Sequence, residues 1–244
     1  MNAVRFDHVS KAFGTRKVLD DMSFEIPKGQ AFCLLGRSGT GKSVALRHII
    51  GLTKADSGRV FVEERDITEL RGRQLADVRK HIGVLFQNAA LFDSMSVGDN
   101  VSFPMHRHTD WSNADIRDRA RAKLSAVGLE AEFDSMPADL SGGMKKRAGL
   151  ARAMALDPSL LLVDEPSAGL DPVTAREIDE LLVTTKQGGT TLVVVTHNIP
   201  SARAIGDRFA VLDQGCMLAS GTIEALDASE EPLVQAFMHA QGGG

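Results

Sequence analysis

Two kinds of hydrophobic stretch recur along this chain. Short, β-rich apolar runs occupy Gln30 to Leu35, Ile82 to Phe86, Leu160 to Val163 and Thr191 to Val195, each bounded by Gly, Pro or polar turn residues. Continuous runs of this length predict strands buried on both faces, as in a parallel sheet. Between them, Lys42 to Ile50, Ala114 to Val127, Ser141 to Leu156 and Val173 to Thr185 space their apolar residues at helical intervals. Strand and helix alternating in this way predict an α/β core with a mostly parallel sheet. The first thirty residues and Arg59 to Val62 read instead as antiparallel strands, with turns at Gly14 and Gly58. The stretch from Gln87 to Ala138, which holds the single Trp, reads as a helical subdomain inserted into that core.

Composition narrows the picture. With 244 residues, 43% apolar and 25% charged, the chain has the makings of one large globular domain. Twenty-eight basic against thirty-two acidic residues leave a net charge of −4, which gives no support to a broad nucleic-acid-binding surface. Cys33 and Cys216 are too few and too far apart for a metal cluster or a disulfide framework, and both read as core residues. No apolar run approaches the roughly 18 residues of a membrane span, and the N-terminus, with Arg5, Asp7 and Lys11, lacks a signal-peptide core. The expectation is a cytosolic protein, at most peripheral to a membrane. Gly242 to Gly244 are expected to fray.

Candidate chemistry begins where the first buried strand ends. Gly36-Arg37-Ser38-Gly39-Thr40-Gly41-Lys42-Ser43 follows Leu34-Leu35 and opens a helix, the context in which G-x4-G-K-[ST] binds phosphate. Its glycines permit a tight loop whose N–H groups face phosphate oxygens, and the helix adds its positive end. Lys42 is placed to reach the β- and γ-phosphates and Ser43 to ligate Mg²⁺. A second strand, Leu160 to Val163, delivers Asp164 and Glu165 at its C-terminal end, where ligands bind in open α/β sheets. Asp164 fits the carboxylate that positions Mg²⁺, and Glu165 the general base for an attacking water. Asp171-Pro172 reads as a helix cap followed by Pro at the first helical position. Ser141 reads likewise as an N-cap, followed by two glycines that let backbone N–H groups approach an anion. Lys145, Lys146, Arg147 and Arg152 read as a solvated basic face. His106 and His108, spaced as on one face of a strand, lack further ligands and read as structural.

Leu140-Ser141-Gly142-Gly143-Met144, about twenty residues before Asp164, resembles the signature motif of ABC ATPases. Further segments match that family in order: Phe86-Gln87 resembles its Q-loop, Ser167-Ala168-Gly169-Leu170-Asp171 its D-loop, and His197 after Val193-Val194-Val195-Thr196 its switch histidine. Phe13, in Lys11-Ala12-Phe13-Gly14 of a chain without Tyr, resembles the aromatic that stacks on adenine. The match spans about residues 1 to 225. It implies an ABC-ATPase fold: an α/β P-loop core with a mostly parallel sheet, an antiparallel β subdomain and an inserted helical signature subdomain. The implied division is a single domain over 1–244, with 1–86 and 157–225 as nucleotide-binding core plus β subdomain, 87–156 as signature subdomain and 226–244 as tail.

The resemblance also implies a site. ATP and Mg²⁺ would be held by Phe13, residues Gly36 to Ser43, Val44, Ser141, Gly142 and Gly143. Ser43, Gln87 and Asp164 would serve the metal, and Glu165, His197, Gln87 and Lys42 the hydrolysis. In this family the signature helix faces nucleotide bound by the other subunit, so a chain carrying both elements intact implies a homodimer with two equivalent sites. Met144 to Ala153, together with Leu85 to Val97, Asp99-Asn100-Val101 and Phe103-Pro104, is similar to the ATPases of MCE-linked lipid transporters, the Mla type. That implies a chain at the cytoplasmic face of the inner membrane, partnered by an MlaE-like integral-membrane permease and, indirectly, an MCE-domain protein. Lipid would be handled by the complex and not by this chain. Leu91, Phe92 and Met95 would then line a cleft for the permease, or else belong to the subdomain core. A solute importer or lipoprotein-release system is the alternative. An ABC ATPase acting on nucleic acid is a remote one, since such proteins carry long coiled-coil insertions, tandem cassettes or basic arms, and only residues 88–140 separate Gln87 from Ser141.

Overall fold

The computed structural model describes residues 1–239; the glycines expected to fray at the C-terminus lie outside them. The chain opens with a long hairpin, β1 (Asn2–Phe13) and β2 (Arg16–Pro27), and continues through β3 (Ala31–Leu35), α1 (Lys42–Ile49), β4 (Ser57–Val62), β5 (Arg65–Asp66), α2 (Gly72–Arg79) and β6 (Ile82–Leu85). Three α-helices follow, α3 (Val97–His108), α4 (Asn113–Ala126) and α5 (Gly142–Ala153). The remainder runs β7 (Leu160–Asp164), α6 (Pro172–Gln187), β8 (Thr191–Thr196), α7 (Ile199–Ile205), β9 (Arg208–Asp213), β10 (Cys216–Gly221), α8 (Ile223–Asp227) and α9 (Pro232–His239).

The strands form two sheets. One is antiparallel, ordered β2-β1-β4-β5; the other is six-stranded, ordered β10-β9-β3-β8-β7-β6, parallel from β9 to β6 with β10 antiparallel at its edge. Parity along the buried strands divides the core. Cys33, Leu35, Leu161, Val163, Leu192 and Val194 face a cluster built with α3 to α7. Phe32, Leu34, Leu160, Leu162, Val193 and Val195 face a second cluster built with α1 and the antiparallel sheet. Both faces of the main sheet are therefore covered, which is why its strands read as unbroken apolar runs.

The structure corrects several expectations. His106 and His108 lie in α3, whose Ser96 cap accepts from Asp99 N; two residues apart on a helix point to different sides, so they form no strand face. Gly58 sits inside β4, not in a turn: a Cβ there would meet His8 O at 2.1 Å, so it marks close approach of two strands. Cys33 is buried as expected, but Cys216, first residue of the edge strand β10, is exposed. The stretch read as a tail, 226–244, holds the end of α8 and all of α9, and Leu226, Val234 and Met238 are buried in the main core. Strands β9 and β10 had no counterpart in the sequence reading.

Candidate active site

Between β3 and α1 the chain reverses over residues 36–41. Gly36 has φ +152° and Gly41 φ +107°, and a Cβ on either would stand 2.3 Å from Leu212 O or 2.4 Å from Val18 O. Glycine is thus required twice over, by backbone conformation and by close neighbours. Lys42 is only 5% exposed, and its Nζ donates to Gly36 O (2.7 Å) and Arg37 O (2.8 Å), curling the cation into the loop. Burial lowers its pKa, opposed by the carboxylates of Glu165 and Asp164. Thr40 Oγ1 donates to Arg37 O, while Arg37, Ser38 and Gly39 remain exposed at the apex. Arg16 Nη2 donates to Gly39 O at 2.9 Å, tying the end of the β1–β2 hairpin to the loop. Phe13, cross-strand from Arg16, is 51% exposed, with Lys11 Nζ over its ring at 5.4 Å from the centroid. Val44 is half-buried in the first turn of α1.

Strand order assembles the rest. Because β8 lies between β3 and β7, the ends of all three converge: the phosphate loop, Thr196-His197 and Asp164-Glu165. Ser43 Oγ donates to Asp164 Oδ1 at 3.0 Å, and burial raises the Asp164 carboxyl. Glu165 is 9% exposed, with its backbone at φ +48° and its N–H donating to Val195 O at 2.8 Å. Its Oε2 accepts from Thr196 Oγ1 (3.1 Å) and His197 N (3.4 Å), and His197 Nδ1 lies 2.9 Å from each carboxylate oxygen. Lys42 Nζ is 4.0 Å from Glu165 Oε1. A buried carboxylate thus sits between a cation and an imidazole. Ser43 and Asp164 offer hard oxygen donors at one point, and no group of three or more His, Cys, Asp or Glu able to hold a metal occurs among the described residues. That set suits Mg²⁺, which takes one or two protein oxygens and completes its shell with phosphates and water.

Other expected site residues stand apart. Gln87 is exposed just beyond β6, one strand over from the carboxylates, and among the described residues no hydrogen bond ties it to Ser43 or Asp164. Ser141 Oγ accepts from Met144 N at 3.3 Å, capping α5 as expected. Ser141 and Gly142 are exposed; Gly143 is buried, where a Cβ would press Thr174 Cγ2 at 2.3 Å, so this glycine also sets how closely α5 approaches α6. No hydrogen bond links the three to residues 36–44 among the described residues. Asp171 caps α6 through Val173 N and Thr174 N, with Pro172 at its first position.

Sequence reasoning missed Arg16, Thr196 and two cations on α5. The expected solvated basic face is not one: Lys146 is buried, its Nζ donating to Glu165 O (2.9 Å) and Pro166 O (2.6 Å), and burial pushes its pKa down to about 8. Arg152 donates to Ala89 O (2.8 Å) and Ala90 O (2.7 Å), bracing the turn after Gln87. The available signal was the run Ala148 to Ala151, which makes the helix apolar around most of its circumference. Past that turn, Phe92 is exposed while Leu91 and Met95 are half-buried; Phe86, Phe92, Phe103, Pro104 and Arg152 line an open groove of about 360 Å³.

A family model described as "ABC transporter" matches residues 19–168. The probable ribonucleotide transport ATP-binding protein mkl of Mycobacterium leprae is 40% identical over 240 residues, 98% of this chain and 69% of that protein. The intermembrane phospholipid transport system ATP-binding protein MlaF of Escherichia coli K12 is 37% identical over 238 residues, 97% of this chain and 88% of that protein. Among solved structures, the dimer of the ATP-binding cassette MJ0796 in a post-hydrolysis state with ADP and phosphate superposes with a TM-score of 0.84 at 31% identity, covering 90% of this chain and 98% of that one.

Proposed function

The chain belongs to the ABC transporter family of ATP-binding proteins, and from that premise we propose that it powers a transporter moving phospholipid between membranes. It is an ATPase that works on ATP with Mg²⁺. The observation that carries the hydrolytic roles is the convergence of three strand ends on Glu165.

In this reading the loop amides of residues 36–41 and Lys42 grip the phosphates of ATP, while Phe13 stacks on the adenine. Lys42, held at present by two loop carbonyls, exchanges them for phosphate oxygens. Ser43 and Asp164, with Gln87 joining from the end of β6, would hold Mg²⁺, which would supply charge neutralisation to the phosphates. Glu165 orients a water against the γ-phosphorus and accepts its proton as ADP leaves. His197 and Thr196 hold the carboxylate in position through the hydrogen bonds already in place. Ser141, Gly142 and Gly143, which among the described residues make no hydrogen bond to this chain's own loop, cover the γ-phosphate of a second copy, giving a homodimer with two equivalent sites. The dimer of the related cassette supports that assembly.

No helix among the described residues is long and apolar enough to cross a membrane. In this reading a permease supplies the spans. Its docking site is the groove around Phe92, beside the turn braced by Arg152. We place the chain on the cytoplasmic face of the inner membrane, with an MCE-domain protein reached through the permease. The phospholipid reading is supported by Met144 at the fifth signature position and by the stretch after Gln87. A second reading, import of a small solute, is favoured by the 40% identity to a relative named for ribonucleotide transport.

Purification of the tagged chain from membranes in mild detergent separates the two. A multispan permease accompanied by an MCE-domain protein is the expected result. A permease accompanied by a solute-binding protein, with ATPase activity stimulated by that solute and indifferent to phospholipid vesicles, would transfer the assignment to solute import.

A further inference from the structure

We propose that Lys146 is a positioning residue for Glu165: from the signature helix, its ammonium pins the carbonyls of Glu165 and Pro166 and so holds the turn that aims the glutamate carboxylate. The inference rests on the reading of Glu165 as the base. It concerns a residue that no motif of the nucleotide site includes.

The geometry is specific. Lys146 lies in the second turn of α5, five residues after its Ser141 cap, and only 5% of it is exposed. A lysine taken out of water to this degree is costly unless its ammonium is hydrogen-bonded. Here it donates to two successive carbonyls, at 2.9 Å and 2.6 Å, and among the described residues no carboxylate closes on it as a direct ion-pair partner. The bonds go to backbone, so what they fix is a conformation. Glu165 sits at φ +48°, in the left-handed region that long side chains rarely occupy. Such a backbone persists only where its surroundings over-determine it. Its N–H is held by Val195 O of β8, and its carbonyl accepts from Ala168 N at 3.3 Å within the same turn. Lys146 is the hold on that carbonyl that comes from another element.

That element matters because of what stands at its other end. Five residues of helix span roughly 7–8 Å, so Ser141 and Gly142, exposed for a second subunit, and the grip on Glu165 belong to one rigid body. A shift of α5 as its N-terminus engages the partner's nucleotide is transmitted through Lys146 to the backbone of the base. The signature helix thereby serves two sites: its exposed end covers the partner's phosphate, and its buried face sets the glutamate of its own chain.

Steady-state hydrolysis of MgATP by the full chain tests this with Lys146→Met, which fills the same space without donors, and Lys146→Arg, which keeps a cation with several. A misplaced catalytic group costs on the order of 10²-fold, so Lys146→Met is expected to lower kcat about 10- to 100-fold while KM for ATP moves less than about threefold. Lys146→Arg is expected to restore most of that loss. Combined with Glu165→Gln, Lys146→Met should remove little further turnover, since its effect passes through the carboxylate. A kcat near wild type in Lys146→Met, a loss confined to KM, or the full loss repeated on the Glu165→Gln background would each overturn the proposal. If Glu165→Gln itself turns over normally, the assignment of the base is at fault instead. Melting curves accompany each variant; if Lys146→Met fails to fold, Lys146→Gln, a neutral donor, decides in its place, a kcat below that of Lys146→Arg with KM little changed being the expected result and a kcat near wild type overturning the proposal.

Discussion

Glu165→Gln is the substitution whose consequence the geometry specifies most fully. The change replaces one carboxylate oxygen by an NH₂ group and leaves the backbone bonds to Val195, Ala168 and Lys146 untouched. The remaining oxygen can still accept from Thr196 Oγ1 and His197 N, as Oε2 does now. The new NH₂ faces His197 Nδ1, which accepts from it if the imidazole carries its proton on Nε2. Every partner is therefore satisfied, and the fold should melt within a few degrees of wild type. Lys42, 4.0 Å away, loses a carboxylate that favours its charge but keeps its two loop carbonyls, so the phosphate grip survives. What disappears is the proton acceptor. General-base catalysis contributes about 10²- to 10⁴-fold, or roughly 2.7 to 5.4 kcal/mol of barrier at about 1.36 kcal/mol per tenfold. Phosphate release should fall by that factor while ATP affinity by calorimetry stays within about threefold of wild type. Size-exclusion chromatography with MgATP should show the variant held as a dimer that wild type leaves on hydrolysis. Turnover within a few-fold of wild type would refute the reasoning and remove Glu165 from its role.

Lys42→Ala should instead weaken nucleotide binding itself, because a charge-assisted bond to phosphate is worth about 1.5–3 kcal/mol; unchanged affinity by calorimetry counts against the phosphate-loop assignment. Ser141 has two roles to separate. Ser141→Ala removes the cap bond to Met144 N, at about 1 kcal/mol, whereas Ser141→Asp keeps a cap and places a negative charge where a partner's phosphate would lie. Both should bind ATP as isolated chains, only the alanine variant should melt lower, and both should lose activity; full activity in Ser141→Asp would sink the shared-site reading. Phe92→Asp, at a side chain 43% exposed, should leave the melting temperature nearly unchanged and abolish co-purification of the permease. A collapse of stability would show that Phe92, which packs against Phe103 at 5.1 Å between centroids, is core.

Features that depend on a few neighbouring residues were legible in the sequence. The phosphate loop is legible because Gly36, Gly41, Lys42 and Ser43 act within eight residues, and their backbone requirements are local. The caps at Ser141 and Asp171 are legible for the same reason, since a capping side chain bonds two or three positions ahead. The buried strands Ala31–Leu35, Leu160–Asp164 and Thr191–Thr196 announce themselves by apolar run length. Helix α3 was blurred by Gly98 and Pro104, which interrupt its periodicity although Ser96 starts it. Strands β9 and β10 went unseen: the buried run Phe209 to Leu212 in β9 is as long as that of β7 and was an available signal, whereas β10 is an edge strand with no fully buried residue to mark a period.

By itself, then, the sequence determined the pieces of chemistry and the class of fold that carries them. Only the tertiary structure decided which pieces meet. Nothing in the spacing of Lys42, Asp164, Glu165 and His197 reveals that β8 inserts between β3 and β7, because strand order depends on how crossovers pack helices over the sheet rather than on any local pattern. That order brings His197 within 2.9 Å of Glu165. The same holds for Arg16 on Gly39 and for Lys146 on Glu165 and Pro166, where long cationic side chains end on backbone carbonyls. Every residue has a carbonyl, so an acceptor of that kind leaves no mark in the amino-acid sequence, and its partner is found only when the chain has folded around it.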